Sequence, residues 1–481
     1  MFFTSASGLS QVVKVEMFSF YRETFFGLEV VQQQLVISSA VAIGGILAYW
    51  VFRSKEAKTI PIGHGWWGKG KKPLSEDDQI HTFTITTSDE EIKDLHARLD
   101  LTRYTDPLED SHFNFGFNST YLKRVVSHWR NEYDWKKQVA ALNQYSHFKT
   151  KIEGLDVHFI RVCPPSRENQ KVVPLMLVHG WPSSFYEFYK IIPLLTQNHD
   201  GVAFEVICPS IPGYGYSEAP QKKGFDSVAA ARIFLTLMER LGFSQFYLHG
   251  GDWGSAITTN MAQMKPDCVK GLHLTMFFIR SNFKMSLSLV IGRYLPFLVG
   301  FTREDVRRIY PYFQKNVWQM LEETGYMHIQ ATKPDTAGCA VNNSPVGLAA
   351  YILEKFSSCT DMKYRDLSDG GLERMFTLDD LLTNVMIYWT TSSMTSSMRF
   401  YKENFGNLIN RLDFKTGVFV PTGLAAFPNE LMHNPKVWAQ TKYRNIYTYT
   451  FMPRGGHFAA FEEPQLLADD IVQFVKKVGK I

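Results

Sequence analysis

Short apolar runs alternate with a helical pattern in the middle of the chain. The runs at 172–178, 204–208, 246–249 and 269–276 have the length and composition of strands that are buried on both faces. An amphipathic segment from Asp226 to Leu241 separates two of them. Strands that alternate with helices form parallel sheets, so this pattern predicts an α/β fold.

The pattern changes on both sides of this core. Helical periods at 89–99 and 121–133 precede it and are predicted to wrap around it. Residues 277–406 show helical patterns rich in Met, Phe and Tyr, and they are too many for a loop. Strand patterns return at 418–422 and 445–451, before a closing amphipathic helix. The predicted organisation is an N-terminal extension (1–34), a membrane anchor (35–52), a linker and N-terminal region (53–150), the first part of the core (151–276), an inserted helical lid (277–406) and the second part of the core (407–481).

The predicted anchor is the uncharged run from Leu35 to Phe52. As a helix its 18 residues span about 27 Å, close to the hydrocarbon thickness of a bilayer. Arg53, Lys55 and Lys58 follow at once, and cations favour the cytosolic side of a span. We therefore expect a single-pass membrane anchor with the rest of the chain in the cytosol. A buried core helix and a cleaved signal peptide are the alternatives.

Composition narrows the class of protein. Apolar residues make up 45% of the 481 residues and charged residues 20%, which suits a large core. The net charge of +4, without a basic run interleaved with aromatics, does not indicate a nucleic-acid partner. Five scattered cysteines contain no CxxC pair, so neither a metal site nor a disulfide framework is expected. In the cytosol, the glycosylation patterns at Asn118 and Asn342 would stay unused.

The chemistry is indicated by the segment Gly250-Gly-Asp-Trp-Gly254, directly after a predicted strand. A small residue, an acid and another small residue at this spacing indicate a nucleophile elbow, the strand-to-helix turn of α/β-hydrolases. The central residue, Asp252, is a carboxylate where an esterase has serine. It is ionised at neutral pH and can attack an electrophilic carbon without a base. An N-cap for a helix starting near Ser255 is the alternative interpretation of Asp252.

Two further residues follow in the order that this fold uses. His457 comes after the last predicted strand, and Glu430 comes after the strand predicted at 418–422. We expect both at the carboxyl ends of their strands, beside the elbow. Asp413 and Glu403 are rival acids, but both precede that strand. The glutamate has one more rotatable bond than an aspartate, so we expect slow hydrolysis of the ester intermediate.

A glycine turn after the first core strand completes the predicted site. The segment His179-Gly-Trp-Pro182 would direct the backbone N–H of Trp181 toward the nucleophile. Together with the N–H of Trp253 it would form an oxyanion hole for the carbonyl oxygen of Asp252.

The whole set of motifs resembles the microsomal epoxide hydrolase family, which includes the juvenile hormone epoxide hydrolases of insects. The resemblance runs from the apolar run to the last helix and includes the segments 65–68, 179–182, 250–254 and 454–464. The extension before the apolar run departs from the family pattern, and Met17 is an alternative start.

The resemblance implies roles for particular residues. Asp252 matches the nucleophile, Glu430 the acid and His457 the base, while Tyr326 and Tyr401 match the acids that protonate the opening ring. The implied reaction converts a lipophilic epoxide and water to a vicinal diol without a cofactor or a metal.

Three other classes of protein share some of these features. A haloalkane dehalogenase also uses an elbow aspartate, and Trp253 would suit a halide site. A catalytically inactive hydrolase fold used for binding would not need an intact acid and histidine. A serine esterase is disfavoured because no Gly-x-Ser-x-Gly segment follows a strand at the right place.

Overall fold

The computed structural model describes residues 59–406 and 411–480. At the centre of this part of the chain lies a nine-stranded sheet in the order β1-β2-β3-β5-β4-β6-β7-β8-β9. The first three strands and their junction with β5 are antiparallel, whereas all pairings from β5 to β9 are parallel. The strands are β1 (Ile80–Phe83), β2 (His147–Ile152), β3 (Leu155–Val162), β4 (Lys171–Val178), β5 (Val202–Pro209), β6 (Phe246–Gly250), β7 (Val269–Leu274), β8 (Thr422–Ala426) and β9 (Ile446–Phe451).

The buried strands confirm the predicted α/β core. Every residue of β5, β6 and β8 is buried, as expected of parallel strands that are covered on both faces. Helices of the core pack on the two faces of the sheet. They are α4 (Ile192–Thr196), α5 (Ser227–Arg240), α6 (Asp252–Met264), α16 (Leu412–Lys415), α17 (Lys436–Ala439), α18 (Ala459–Glu462) and α19 (Pro464–Gly479).

The strand predicted at 418–422 is wrong in position. The strand is β8, which begins at Thr422, while Val418 forms only an isolated bridge to Tyr443. Proline has no backbone N–H to donate to a ladder, and Pro421 stands directly before β8. Because β8 runs later than expected, it ends four residues before Glu430 and brings the loop after it to the carboxyl edge of the sheet.

The N-terminal region contributes more than the predicted helices. Helices α1 (Asp89–Asp100) and α2 (Ser119–Asn131) match the predicted helical periods, and a capping box on Ser88 starts the first of them. Helix α3 (Trp135–Leu142) was not predicted. Strands β1 and β2, which the sequence pattern did not indicate, extend the sheet beside β3.

Between β7 and β8, the described residues form helices and no strand. They comprise α7 (Phe283–Gly292), α8 (Arg303–Ile309), α9 (Gln319–Glu323), α10 (Gly325–Thr332), α11 (Pro334–Asn342), α12 (Pro345–Ser358), α13 (Leu372–Met375), α14 (Leu378–Thr391) and α15 (Met394–Phe405). This helical insertion also contacts the N-terminal region: Tyr133 Oη lies 3.0 Å from Thr383 Oγ1, and His128 Nε2 lies 2.8 Å from Asp379 Oδ1.

No helix among the described residues is long and apolar enough to cross a membrane. The anchor predicted at 35–52, the extension before it and the first residues of the linker lie outside the described residues.

Candidate active site

The turn between β6 and α6 holds Asp252 in an unusual backbone conformation. Its φ is 47°, in the left-handed region that residues with a Cβ rarely adopt. The glycines around it let the backbone pass very close to neighbouring chain: a Cβ at Gly254 would lie 1.9 Å from Val178 O. These contacts hold the strained turn and direct the carboxylate outward at the carboxyl end of the sheet, as a nucleophile elbow requires. Helix α6 begins at Asp252 itself, so the expected helix start near Ser255 was too late.

Two backbone N–H groups lie close to the carboxylate of Asp252. The N–H of Trp181 donates to Oδ1 at 2.8 Å, and the backbone N–H of Trp253 also lowers the pKa of this carboxyl group. A Cβ at Gly180 would lie only 2.3 Å from Asp252 Cβ, which explains why a glycine precedes the donor. The two predicted backbone donors therefore both face Asp252.

His457 and Glu430 reach the carboxylate from the next two loops. Their loops meet through a bridge between Asn429 and Gly456, and His457 Nδ1 lies 2.7 Å from Glu430 Oε1. On the other side of the ring, His457 Nε2 lies 3.8 Å from Asp252 Oδ2. The structure thus brings together the three residues that the sequence analysis singled out. The contact of 2.7 Å shows that the longer glutamate side chain still holds the imidazole closely.

Neither rival acid takes part in this arrangement. Asp413 forms an ion pair with Arg411 at 2.9 Å, and Glu403 lines a separate cleft together with Lys222 and Arg399. The topological argument that favoured Glu430 is therefore consistent with the geometry.

The charges of the site shift its pKa values. Burial by itself lowers the pKa of His457, but the charge and hydrogen bond of Glu430 and the charge of Asp252 outweigh it and raise this pKa to about 9. Burial raises the pKa of Asp252, against the effects of His457 and of the two backbone donors. His457 therefore lies between two acidic side chains whose charges favour its protonated form.

Tyr326 and Tyr401 lie above Asp252 on helices of the insertion, α10 and α15. The ring of Tyr326 stacks on Trp181 with centroids 4.9 Å apart, and Tyr401 packs edge-on against Trp253 at 4.9 Å. The two rings pack edge-on against each other with centroids 6.0 Å apart. Burial raises both phenol pKa values well above their usual range, so both groups keep their protons at neutral pH.

A cleft of about 690 Å³ opens beside Tyr326. Aromatic and aliphatic side chains from the N-terminal region and from α10 and α12 form much of its wall, among them Phe113, Phe117, Ile329 and Tyr351. The wall also contains Glu323, Lys355 and Arg365, and Arg365 forms an ion pair with Glu323.

The sequence analysis missed two carboxyl groups close to His457. Glu187 lies on a single helical turn, Phe185–Phe188, and burial raises its pKa to about 7. It shares a small cavity with Asp252 and His457. Burial raises the pKa of Glu462 to about 8, and its carboxylate accepts from Phe458 N at 2.9 Å. The only feature of the sequence that could have indicated Glu187 is its position five residues after Pro182. That position does not tell where the side chain points.

A parallel sheet with an elbow aspartate, a His–Glu pair and backbone donors at its carboxyl edge defines an α/β-hydrolase that uses a carboxylate in place of serine. The family description "alpha/beta hydrolase fold" matches residues 173–427, and "Epoxide hydrolase N terminus" matches residues 80–188. The chain belongs to the microsomal epoxide hydrolase family and is an epoxide hydrolase.

Known relatives cover nearly the whole chain. Epoxide hydrolase 1 of Oryctolagus cuniculus is 56% identical over 455 residues, which are 93% of this chain and 99% of that protein. Juvenile hormone epoxide hydrolase 1 of Ctenocephalides felis is 44% identical over 92% of this chain and 95% of its own length. The crystal structure of juvenile hormone epoxide hydrolase from Bombyx mori aligns with a TM-score of 0.84 at 40% identity and covers 88% of this chain and 99% of that one.

Proposed function

We propose that this epoxide hydrolase works through a covalent ester on Asp252, which a water activated by His457 then hydrolyses. The observation that carries the proposal is that the two carboxylate oxygens of Asp252 have different partners. Oδ1 accepts the N–H of Trp181 at 2.8 Å, whereas Oδ2 faces His457 at 3.8 Å and remains available for attack.

In the first step Oδ2 attacks one carbon of the epoxide. A C–O ester bond forms, the ring C–O bond breaks, and the ring oxygen takes a proton from Tyr326 or Tyr401. Both phenols are buried and protonated, and both are close enough to Asp252 for its charge to raise their pKa values. A positioned proton donor typically accelerates such a step by about 10²–10⁴-fold.

In the second step His457 takes a proton from water, and the oxygen of this water attacks the carbonyl carbon of the ester. The N–H groups of Trp181 and Trp253 stabilise the oxyanion that forms. The acyl C–O bond then breaks, and the leaving diol oxygen takes the proton held by His457. The second proton of the water, left on the renewed carboxyl group, returns to the phenolate formed in the first step. One diol oxygen comes from the epoxide and one from Asp252, whose carboxylate is renewed by the water.

The small cavity beside His457 is a suitable place for this water. It offers about 10 Å³ to the centre of a water molecule, and Ser183, Glu187, Asp252 and His457 line it. Glu187 would accept a hydrogen bond from the other O–H group of the water. This bond would orient the water oxygen toward the ester.

The helical insertion serves as a lid in this proposal, because it contributes both proton donors and closes the site above Asp252. The aromatic wall of the cleft beside Tyr326 favours lipophilic epoxides, which would enter there.

Isotope labelling tests the ester directly. With enzyme in excess over styrene oxide in H₂¹⁸O, the first turnover should give diol without ¹⁸O, and the label should appear in the Asp252 peptide. Direct attack of water on the epoxide would instead place ¹⁸O in the first diol. His457→Ala should retain the ester, visible as an adduct of the epoxide mass on the same peptide, and Asp252→Asn should form none.

We also propose that residues 35–52 anchor the chain in the endoplasmic reticulum membrane with the catalytic part in the cytosol. The proposal rests on the uncharged run and the cations after it. The chain should resist extraction by alkaline carbonate, and its catalytic part should be open to protease in intact microsomes. Asn118 and Asn342 should carry no glycan. Release by carbonate, or a mass decrease on treatment with endoglycosidase, would contradict the anchor or its orientation.

A further inference from the structure

Helix α7 and the turn after it expose an apolar face. Phe283, Leu287, Val290 and Tyr294 follow the spacing that places side chains on one side of a helix. Phe283, Val290 and Tyr294 are 80%, 67% and 75% exposed, and Phe297 in the following turn is 72% exposed. The surfaces of water-soluble proteins rarely expose so many large apolar side chains together. We call these five residues the apolar face.

The opposite side of α7 is firmly packed, so the helix does not expose this face through loose folding. Met285 is buried in a small core with Phe301 and Trp438, and Trp438 Nε1 donates to Ser288 Oγ at 2.8 Å. Gly292 lies against the ring of Phe301, where a Cβ would come within 2.5 Å. This packing fixes the orientation of α7, so the apolar face points toward solvent.

Charge decides which partner fits this face. From Phe277 to Arg303 the chain contains four cations and no acidic residue. Arg280, Lys284, Arg293 and Arg303 are all exposed. Protein interfaces have polar rims that commonly carry both signs of charge, whereas a helix that lies on a bilayer combines large apolar side chains with Lys and Arg.

We propose that the apolar face inserts into the interfacial region of a phospholipid bilayer, with these four cations contacting anionic headgroups. Such helices lie in the plane of the membrane and bury their apolar side about 5–10 Å deep. Tyr294 suits the headgroup level, where aromatic residues with a polar end collect. The guanidinium of Arg293 lies over its ring at 5.7 Å, which lets both reach the same depth.

This contact would act on the lid. Helix α7 begins five residues after Phe278, which stacks on Trp253 with ring centroids 6.5 Å apart, so its insertion would bring the active site close to the lipid surface. An epoxide dissolved in the bilayer would then reach the enzyme without crossing bulk water. The inference does not depend on an anchor at 35–52, because it concerns a separate surface contact.

A fluorophore at the face tests the proposal in the full chain. We would replace the exposed Cys163 and Cys339 by serine and attach NBD to Val290→Cys, with Leu101→Cys as the control. Leu101 is an apolar residue that is 81% exposed at the end of α1, outside the insertion. In vesicles containing nitroxide-labelled phosphatidylcholine, the label at position 290 should be quenched strongly and the control label only weakly. Quenching at position 290 should increase when phosphatidylserine is added, and Lys284→Gln with Arg293→Gln should remove that increase.

Other occupants of the face give different results. If residues 1–58 or a second copy cover it, the label at position 290 will emit as in an apolar environment without vesicles and will escape the lipid quencher. Dilution of the protein would change that emission only for a second copy. Either result, or equal quenching at positions 290 and 101, would overturn the proposal.

A functional readout separates this surface from the predicted anchor. In the protein labelled at position 290, Phe283→Glu with Leu287→Glu should abolish lipid quenching. In the unlabelled protein the same two changes should raise KM several-fold for a long-chain epoxide in vesicles. The kinetics with a small water-soluble epoxide should stay at the wild-type level, which also shows that the variant is folded. Retention of the variant after carbonate extraction would report on the anchor alone. An unchanged KM for the long-chain epoxide would contradict the role in substrate access.

Discussion

The imidazole Nε2 of His457 lies 3.8 Å from the carboxylate Oδ2 of Asp252. This distance is longer than a hydrogen bond, so the ring does not occupy the oxygen that attacks. The two groups nevertheless interact through their charges, since Asp252 is one of the groups that raise the pKa of His457 to about 9. Formation of the ester removes the charge of Asp252. The first step of the proposed reaction therefore lowers the pKa of His457 and prepares it as the base for the second step.

Both steps should slow as pH falls, but each follows the ionisation of a different group. Alkylation needs ionised Asp252 and should slow as pH falls through the raised pKa of this carboxyl. Hydrolysis needs neutral His457 and should speed up as pH rises through the pKa of the ester form, which lies below the value of about 9 in the free enzyme. Single-turnover formation and decay of the ester, followed by rapid quench and mass spectrometry, would separate the two profiles. A decay rate that does not change with pH would argue against His457 as the base.

Glu430→Gln should slow decay of the ester by up to about 10⁴-fold, the effect of the comparable change in serine proteases. The amide keeps the size of the side chain but removes the charge that stabilises the imidazolium at 2.7 Å. Glu403→Gln is the matched control and should behave as the wild type, because Glu403 lines another cleft. In the wild type the ester should accumulate in the steady state, since we expect hydrolysis to be slow. Its absence during turnover would show that alkylation limits the rate.

Tyr326→Phe and Tyr401→Phe should each slow ester formation by about 10²-fold, and the double variant should form almost none. Each change removes one phenol proton and leaves the ring that packs against Trp181 or Trp253. Tyr351→Phe is the control, because Tyr351 also packs on Trp181 but donates no proton in the proposed mechanism. Stopped-flow quenching of tryptophan fluorescence on alkylation would measure all four rates. Equal loss in Tyr351→Phe would indicate a packing effect.

Glu187→Gln should slow hydrolysis of the ester and leave its formation nearly unchanged. The amide can still fill the space beside His457, but it no longer offers a carboxylate to the water in the shared cavity. Glu463→Gln serves as the control, because Glu463 instead pairs with Arg454 at 2.6 Å. A matched fall in both rate constants of Glu187→Gln would assign Glu187 a structural role only.

Gly180→Ala should abolish ester formation without unfolding the protein. The new Cβ would lie 2.3 Å from Asp252 Cβ, so the nucleophile and the donor Trp181 N–H must move apart. At Gly325 a Cβ would meet nothing within 4 Å, and Gly325→Ala should remain active. Circular dichroism and thermal melting would verify the fold of both variants, and adduct formation with styrene oxide would report on the site. Normal adduct formation by Gly180→Ala would contradict the tight packing at the elbow.

The sequence by itself determined the features that depend on neighbouring residues in the chain. The glycines around Asp252 encode the elbow, because only residues without a Cβ allow the backbone to approach Val178 so closely. The alternation of apolar runs and helical periods likewise determined the parallel core, since burial on both faces requires continuous apolar strands. The chain order of Asp252, Glu430 and His457 then followed from the known order in this fold.

Only the tertiary structure decided which distant groups meet. Strands β1 and β2 escaped notice because polar residues interrupt the apolar ones in both, and β8 was placed too early because its start depends on pairing with β7. Among 22 tyrosines, the resemblance selected Tyr326 and Tyr401, and the helical insertion brings both over Asp252. The direction of Glu187 into the cavity beside His457 is likewise a matter of packing. Such contacts join residues far apart in the chain, and local patterns of hydrophobicity carry no information about them.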